Sequence, residues 1–358
     1  MQKEQSIELL KSFSNANGVS GFEDEVLDVI RGLVKDIGTV ERDSVNNLYV
    51  ARRKNRGGRP VIQLDAHTDE VGFMVQSIMD NGLIKFVTLG GWVNANIPAH
   101  LVRIRNRKGN YVRGVVATKP PHYMSEAEKN SVPSVDSMTI DIGASSRNEV
   151  LEDYGIGIGA PVVPEVEFWY DEAHDNMFGK AFDCRAGCAA LTETLLSIEG
   201  EDLQADVIAA YSAQEEVGLR GAMVSSNRVR PDCAIVFEGC PADDTFSPSF
   251  AIQTGLRRGP MLRHFDAKMI TNPRFQRFAL DLASSLGIEV QEAVRTGGAT
   301  NGGAIHLSHF GVPTIVIGLP VRYIHSHYGI ACYSDYKGMV ELGCALLKNL
   351  NEEIIRSF

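Results

Sequence analysis

Four clusters of acidic and histidine side chains follow short apolar runs in this 358-residue sequence. VIQLDAHTDE brings His67 and Asp69, VIAAYSAQEE brings Glu215 and Glu216, CAIVFEG brings Glu238, and PTIVIGLPVRYIHSH brings His325 and His327. A fifth candidate, Asp183 in KAFDCRAG, stands at the mouth of a helix. Imidazoles together with several carboxylates suit a divalent ion of the zinc or cobalt type. Two such ions about 3.5–4 Å apart need a shared carboxylate, and a single Asp between the histidine loops can serve as one. In the adjacent pair Glu215-Glu216 the neighbouring side chains point in different directions. One can bind metal while the other stays free to take a proton from water.

Taken singly, each residue has an ordinary structural use. A His after a strand commonly makes a structural hydrogen bond, Glu-Glu pairs are commonly solvated, Asp183 could cap the helix it precedes, and Glu238 could sit in a surface turn. Their coincidence separates them from that background. Ligands of open α/β sheets gather at the carboxyl ends of strands, so these loops can face one crevice. Other motifs carry less. The run Gly297 to Gly303 (GGATNGG) follows a strand-like segment but lacks a P-loop Lys and the GxGxxG order, and reads as a tight turn near the site. No serine occupies a GxSxG elbow, and Cys184 and Cys188, four apart on one helix, read as core packing.

The elements that must position these residues follow from periodicity. Ile7, Leu9, Leu10 and Phe13 mark one helix and Val26, Leu27, Ile30, Leu33 and Val34 a second, with Ser20 and Glu23 fitting a capping box between them. From about residue 71 to 165 the chain is rich in Val, Ile, Gly and Asn, with short alternating runs broken by turn residues; this is the profile of a small all-β unit. After Pro164, helices and strands alternate: helix 187–198, strands 206–211 and 233–237, helix 273–286, a strand-like run at 288–294, a helical stretch at 304–308, strand 313–317 and a final helix from about 336 to 350. Such alternation predicts a mostly parallel sheet flanked by helices. The domain reading is therefore an α/β catalytic unit of residues 1–70 and 165–358, interrupted by a β insertion at 71–164.

Composition narrows the partners. With 35 basic and 45 acidic residues the chain carries a net charge of −10, which argues against nucleic acid. No segment reaches the roughly 18 apolar residues of a membrane helix, so no membrane partner is expected. The charged, amphipathic start and six cysteines without a CxxC pair read as a cytoplasmic protein with reduced thiols.

At the level of motifs, HTDEVGFMV, FDCRAGCAAL, AQEEVGLRGA, RRGP with a following Asp266, GGATNGGAI and GLPVRYIHS make the chain resemble the M42 family of metallo-aminopeptidases across essentially its whole length. That resemblance implies a zinc-peptidase-like α/β domain with an inserted, β-barrel-like domain that mediates oligomerisation, with dimers assembling to a dodecamer. It implies two divalent metal ions per subunit (zinc or cobalt, with manganese as a third option), short peptides as substrates, and hydrolysis of their N-terminal residue. It also implies roles: His67, Asp183, Glu216, Glu238 and His325 as metal ligands, Asp183 bridging, Asp69 orienting His67, and Glu215 as general base.

Three departures touch the site. Glu238 stands where the family commonly has Asp, Cys184 follows the bridging Asp where Asp or Asn is usual, and Asn301 stands where a GGTDA-type loop has Asp. The stretch after His325 also differs from the family's usual sequence, which leaves His327 free to add a contact of its own. Two rival classes have distinct signatures. A glucanase-like glycoside hydrolase would use a pair among Glu215, Glu216 and Glu238, leave both histidines idle and survive chelation. A non-catalytic oligomeric scaffold would have no use for a complete ligand set.

Overall fold

The computed structural model describes residues 1–358. The N-terminal helices α1 (Lys3–Asn15) and α2 (Asp24–Val34) present the apolar faces expected of them, burying Leu9, Leu10, Phe13, Val26, Leu27, Ile30 and Val34. Strands β1 (Gly38–Arg42), β2 (Leu48–Arg52) and β3 (Val61–His67) follow. The chain then leaves the sheet through β4 (Gly72–Ile78), β5 (Ile84–Leu89), β6 (Leu101–Arg105), β7 (Tyr111–Ala117), a short helix α3 (Glu126–Lys129), β8 (Thr139–Asp141) and β9 (Pro161–Pro164). These six strands close into a barrel in the order β4-β5-β8-β7-β6-β9. The barrel has its own core, built on Phe73, Val75, Phe86, Val102, Ile104, Val116 and Ile140. Alternation of inward apolar and outward polar residues thus leads to closure, which leaves no open edge.

Strands β10 (Trp169–Asp171) and β11 (Asn176–Gly179) lead into helix α4 (Phe182–Ser197), then β12 (Asp206–Ser212), α5 (Arg220–Val229), β13 (Cys233–Pro241), β14 (Met261–Phe265), α6 (Pro273–Leu286), β15 (Gln291–Val294), α7 (Gly302–Ile305), β16 (Thr314–Val321), β17 (Gly329–Cys332), α8 (Tyr333–Asn349) and α9 (Glu352–Ser357). Strands β10, β11 and β17 form a small sheet of their own. The large sheet has eight strands in the order β1-β2-β12-β3-β13-β16-β14-β15. Its centre, β12-β3-β13-β16, is parallel throughout. Antiparallel pairs join β1 to β2, β2 to β12 and β14 to β16, so the sheet is parallel where it is covered on both faces and mixed towards its edges. A core of 51 buried residues, including Leu64, Leu191, Ile235, Phe237 and Leu346, joins this sheet to its helices.

Two local expectations change. Ser20 does not cap α2: Glu23 occupies the cap position without a side-chain cap bond, and the Ser20 hydroxyl donates instead to Asp69 at 2.6 Å. Glu238 does not follow its strand but lies inside it, because β13 continues to Pro241 in register with β16, Glu238 facing Gly318.

Candidate active site

Central strands β3, β12, β13 and β16 run parallel, so their carboxyl ends share one edge of the sheet. His67 is the last residue of β3, Glu215 and Glu216 follow β12, Glu238 lies near the end of β13, and His325 comes four residues after β16. Asp183 enters from the start of α4, where residues 183 and 184 depart from helical geometry. Gly239 lets this happen: a Cβ there would come within 2.7 Å of the Asp183 Cα. The approaches to three of these residues also use left-handed backbone at non-glycine positions, namely Ala181, Gln214 and His325 itself. Such conformations persist only where surrounding structure holds them.

Seven of the eight residues singled out in the sequence converge, His327 being the exception. Asp183 stands in the middle, its Oδ1 3.0 Å from His67 Nε2 and its Oδ2 3.1 Å from His325 Nε2. On the first side, Glu238 Oε1 lies 3.4 Å and Glu215 Oε2 3.8 Å from the same His67 nitrogen. On the second, Glu216 Oε2 lies 3.6 Å from His325 Nε2. Ligand atoms on a tetrahedron with bonds of about 2.05 Å lie about 3.3 Å apart. Separations of 3.4 and 3.6 Å are long for hydrogen bonds and match that edge. Glu216 Oε1 is buried with no hydrogen-bond partner, which a cation would supply. Donor chemistry and spacing therefore fit divalent metal.

The electrostatics agree. Within the site these carboxylates pair only with the two imidazoles. Burial pushes Glu216 up to about 8 against the pull of His325, and it raises Glu215 and Glu238 although His67 opposes it. Burial would also raise Asp183, but hydrogen bonds from His325 and His67 hold it well below the usual carboxylate range. For His325, burial disfavours charge while Asp183 and Glu216 favour it, leaving it at about 9. A nest of acids this short of positive charge is a setting that a divalent ion neutralises.

Asp69 contacts more than His67. The shorter contact of His67 Nδ1 is to the Asp69 backbone carbonyl, at 3.1 Å, with the carboxylate Oδ1 at 3.3 Å. That carboxylate also accepts the backbone N–H groups of Glu215 at 2.9 Å and Glu216 at 3.1 Å, besides the Ser20 hydroxyl. Burial would raise its pKa, yet these contacts keep it below 3.8. A single buried side chain thus joins the β3 loop to the loop carrying Glu215 and Glu216.

Three supporting groups escaped the sequence reading. Arg185, fully buried, donates to the carbonyls of Thr68, Phe13, Ala16 and Gly18 and so clamps the His67–Asp69 loop to the helix of Asp183. Its only sequence signal is an arginine inside the apolar run FDCRAGCAAL. Ser20 is the second. Gly91, just beyond barrel strand β5, is the third: its carbonyl oxygen lies 3.0 Å from His325 Nδ1. Accepting that N–H would leave His325 Nε2 as the nitrogen that a metal can take in place of a proton. Trp92 anchors the turn by donating its indole N–H to the Gly72 carbonyl at 3.2 Å and stacking on Phe73.

The divergent residues find places too. The Cys184 thiol donates to the Phe237 carbonyl at 3.0 Å, tying the neighbour of Asp183 to β13, and the Cys188 thiol does the same for His67 O. Asn301 donates to Asp65 at 2.7 Å within a buried cluster completed by Gln63 and Ser212. His327 stands outside the ligand cluster, its ring tilted at 42° against that of His100 with centroids 3.9 Å apart. Residues 297–299 and 303 line the wall of a cavity of about 810 Å³ that also reaches Asp183, Glu215, Glu216, Glu238 and His325.

A set of candidate metal ligands at the carboxyl edge of an α/β sheet, opening on a cavity of this size, is the arrangement of a metal-dependent hydrolase. The family described as M42 glutamyl aminopeptidase matches residues 46–342. A glutamyl aminopeptidase of Lactococcus lactis subsp. cremoris is 32% identical over 346 residues, 96% of each chain. A lysyl aminopeptidase of Pyrococcus furiosus is 31% identical over 349 residues, 96% of this chain and 97% of its own. The crystal structure of a TET aminopeptidase from the marine sediment archaeon Thaumarchaeota archaeon SCGC AB-539-E09 superposes with a TM-score of 0.94 at 35% identity, covering 99% of each chain. The chain belongs to the M42 family of metal-dependent aminopeptidases. Family, fold class and activity thus agree with the expectations drawn from the motifs. No helix is long and apolar enough to cross a membrane.

Proposed function

We propose that the protein removes the N-terminal residue of short peptides at a dinuclear centre held by His67, Asp183, Glu216, Glu238 and His325, with Glu215 as general base. The observation that carries this reading is the Asp183 carboxylate, one oxygen directed to each histidine. His67 and Glu238 would hold one ion and His325 and Glu216 the other, with zinc or cobalt favoured and manganese possible for such donors. Bound there, the metals would supply Lewis acidity to the scissile carbonyl and to the attacking water.

Glu215 faces the same cavity, 3.8 Å from His67 Nε2 and hydrogen-bonded to neither histidine. It takes the proton from the attacking water and delivers it to the leaving amine nitrogen. Asp69 keeps Glu215 in reach by holding its backbone N–H. Residues 71–164 are proposed to mediate homo-oligomerisation, from dimers to a dodecamer; exposed Tyr123, Val132 and Ile158 support this use of the barrel surface. Nucleic acid and membrane are not proposed as partners, and a cytoplasmic setting suits six free thiols.

The test is turnover of aminoacyl p-nitroanilides with and without EDTA, followed by zinc or cobalt add-back. Activity is expected to vanish on chelation and return with metal. Glu215→Gln is expected to lower kcat by at least about 10³-fold while metal content stays at the wild-type level. Turnover that persists through chelation, or through Glu215→Gln, would remove this mechanism.

A further inference from the structure

A second concave surface lies apart from the candidate metal site, where the barrel meets the loop that enters α2. It is a groove of about 600 Å³ that shares no lining residue with the cavity at Asp183. Arg105, Arg107 and Arg147 line it, and no Asp or Glu does. In a chain of net charge −10, three cations gathered without an acid make a local field that attracts anions. Their guanidinium groups take part in no ion pair and donate to no protein acceptor, whereas Arg113 of the same barrel pairs with Glu165. Carboxylates of adjoining segments are engaged elsewhere. Glu25 of α2 accepts the Tyr111 hydroxyl at 2.6 Å and the Asn17 amide at 3.1 Å, and Glu149 accepts the Ser145 N–H and hydroxyl at 2.8 and 2.9 Å.

The cationic side of the groove is pinned by the hairpin turn between β6 and β7. Asn106 Oδ1 accepts the backbone N–H groups of Lys108 and Asn110, both at 3.0 Å, and Asn106 Nδ2 donates to the Tyr154 carbonyl at 3.0 Å. The Arg107 N–H donates to the Gly155 carbonyl at 3.0 Å. A Cβ on Gly157 would lie 3.1 Å from Arg107 Nη2, so this guanidinium rests against the turn that leads into β9. Arg105 ends β6, and the Arg147 N–H is held by the Asp80 carbonyl at 3.1 Å. Two separate barrel segments thus bring the three cations to one groove. Half-buried Phe22 and Leu151 and buried Ile78 line the same groove with apolar surface.

We propose that this groove is a binding site for a small organic phosphate, whose phosphate group is received by Arg105, Arg107 and Arg147 and whose apolar part lies against Phe22, Ile78 and Leu151. A phosphate monoester carries a charge of about −1.5 to −2 at pH 7 and three strong acceptor oxygens. Guanidinium forks match those oxygens with paired N–H bonds, which an ammonium group cannot do. The groove falls within the roughly 300–1,000 Å³ of small-ligand sites, so a molecule of mononucleotide size fits it. The site is independent of the peptidase reaction and needs no metal. Ile158, offered above as assembly surface, also lines the groove, so a neighbouring copy is the competing occupant.

The experiment is calorimetric titration of AMP, inorganic phosphate and adenosine into the metal-loaded protein and again after EDTA treatment. It is run on wild type, Arg105→Ala, Arg107→Ala, Arg147→Ala and Arg107→Lys, with thermal melts to show that the variants fold and elution volumes to follow assembly. Wild type is expected to bind AMP more tightly than inorganic phosphate, and adenosine not at all. Each Arg→Ala substitution is expected to weaken AMP binding roughly 10- to 100-fold. Arg107→Lys, which keeps the charge and loses the fork, should fall between wild type and Arg107→Ala. AMP binding that the arginine substitutions leave unmoved, or that EDTA abolishes, places the phosphate at the candidate metal centre and overturns the inference. Adenosine or inorganic phosphate binding as tightly as AMP also overturns it. So does a wild type that takes no AMP; elution volumes shifted by the same substitutions would then give the arginines to a neighbouring copy. None of these outcomes bears on the aminopeptidase reading, since turnover is not among the readouts.

Discussion

Replacing Asp69 by Asn tests the claim that one side chain serves two parts of the site. The carboxylate accepts the Glu215 and Glu216 backbone N–H groups at 2.9 and 3.1 Å and the Ser20 hydroxyl at 2.6 Å, and its Oδ1 lies 3.3 Å from His67 Nδ1. An amide keeps one oxygen, so at least one buried N–H group faces an NH2 group. A buried donor left without its acceptor costs about 1–3 kcal/mol, enough to shift the 215–216 loop. A displacement of about 1 Å in a reacting group costs roughly 10²-fold in rate, and loss of an outer partner of a metal-binding His costs about 10- to 100-fold in metal affinity. The variant is therefore expected to lose roughly 10²- to 10³-fold in kcat even at saturating metal, and separately to release metal at lower chelator concentration. The assay is kcat on an aminoacyl p-nitroanilide across a metal titration, with metal content measured after dialysis against graded EDTA. Ser20→Ala, which removes one donor to the carboxylate and leaves the carboxylate itself, should show a milder loss of both. A variant with wild-type kcat at saturating metal would refute the link between Asp69 and the Glu215 loop.

Other outcomes follow from buried charge. Glu23 is fully buried, and burial reinforced by Asp69 raises its pKa from 4.5 to about 7. The folded state then binds more proton than the unfolded state between those values, so Glu23 contributes stability that is lost as pH rises through 7. Relative to wild type, Glu23→Gln is expected to gain up to about 3 kcal/mol between pH 5 and pH 8, read as the difference in unfolding free energy at the two pH values. Asn301→Asp would face Asp65, whose carboxyl burial already raises to about 6. The pair is expected to hold one proton at low pH and to lose about 1–3 kcal/mol of stability as pH rises to 8; a variant with a flat pH profile would contradict this.

Much of the candidate site was readable because its residues obey a positional rule. His67, Glu215, Glu216 and His325 each stand at or just beyond the end of an apolar strand, and parallel strands bring such ends together. Glu238 obeyed the same rule while its strand end did not, since β13 gains four residues from pairing with β16 that no local pattern announces. The barrel was legible only as a β unit, because alternation specifies which face is buried and says nothing of closure. Ser20 had the sequence of a helix cap, but a buried carboxylate competed for its hydroxyl and won. Arg185 and the Gly91 carbonyl lay beyond sequence reading for a common reason. Each acts through backbone atoms remote in sequence, Gly91 being 234 positions from His325, and backbone partners leave no imprint on residue type.

The Gly91 contact bears on how such an enzyme can be dismantled. The loop that ends at Gly91 and Trp92 follows barrel strand β5, yet its carbonyl contacts His325, a candidate metal ligand beyond β16 of the large sheet. Excising the barrel, or letting it pivot, would remove an acceptor from the catalytic edge as well as a surface for neighbours. A shift of the barrel would reach His325 through this one contact, so under the proposed assembly a neighbour seated on the barrel would act on the candidate site as well as on its own interface.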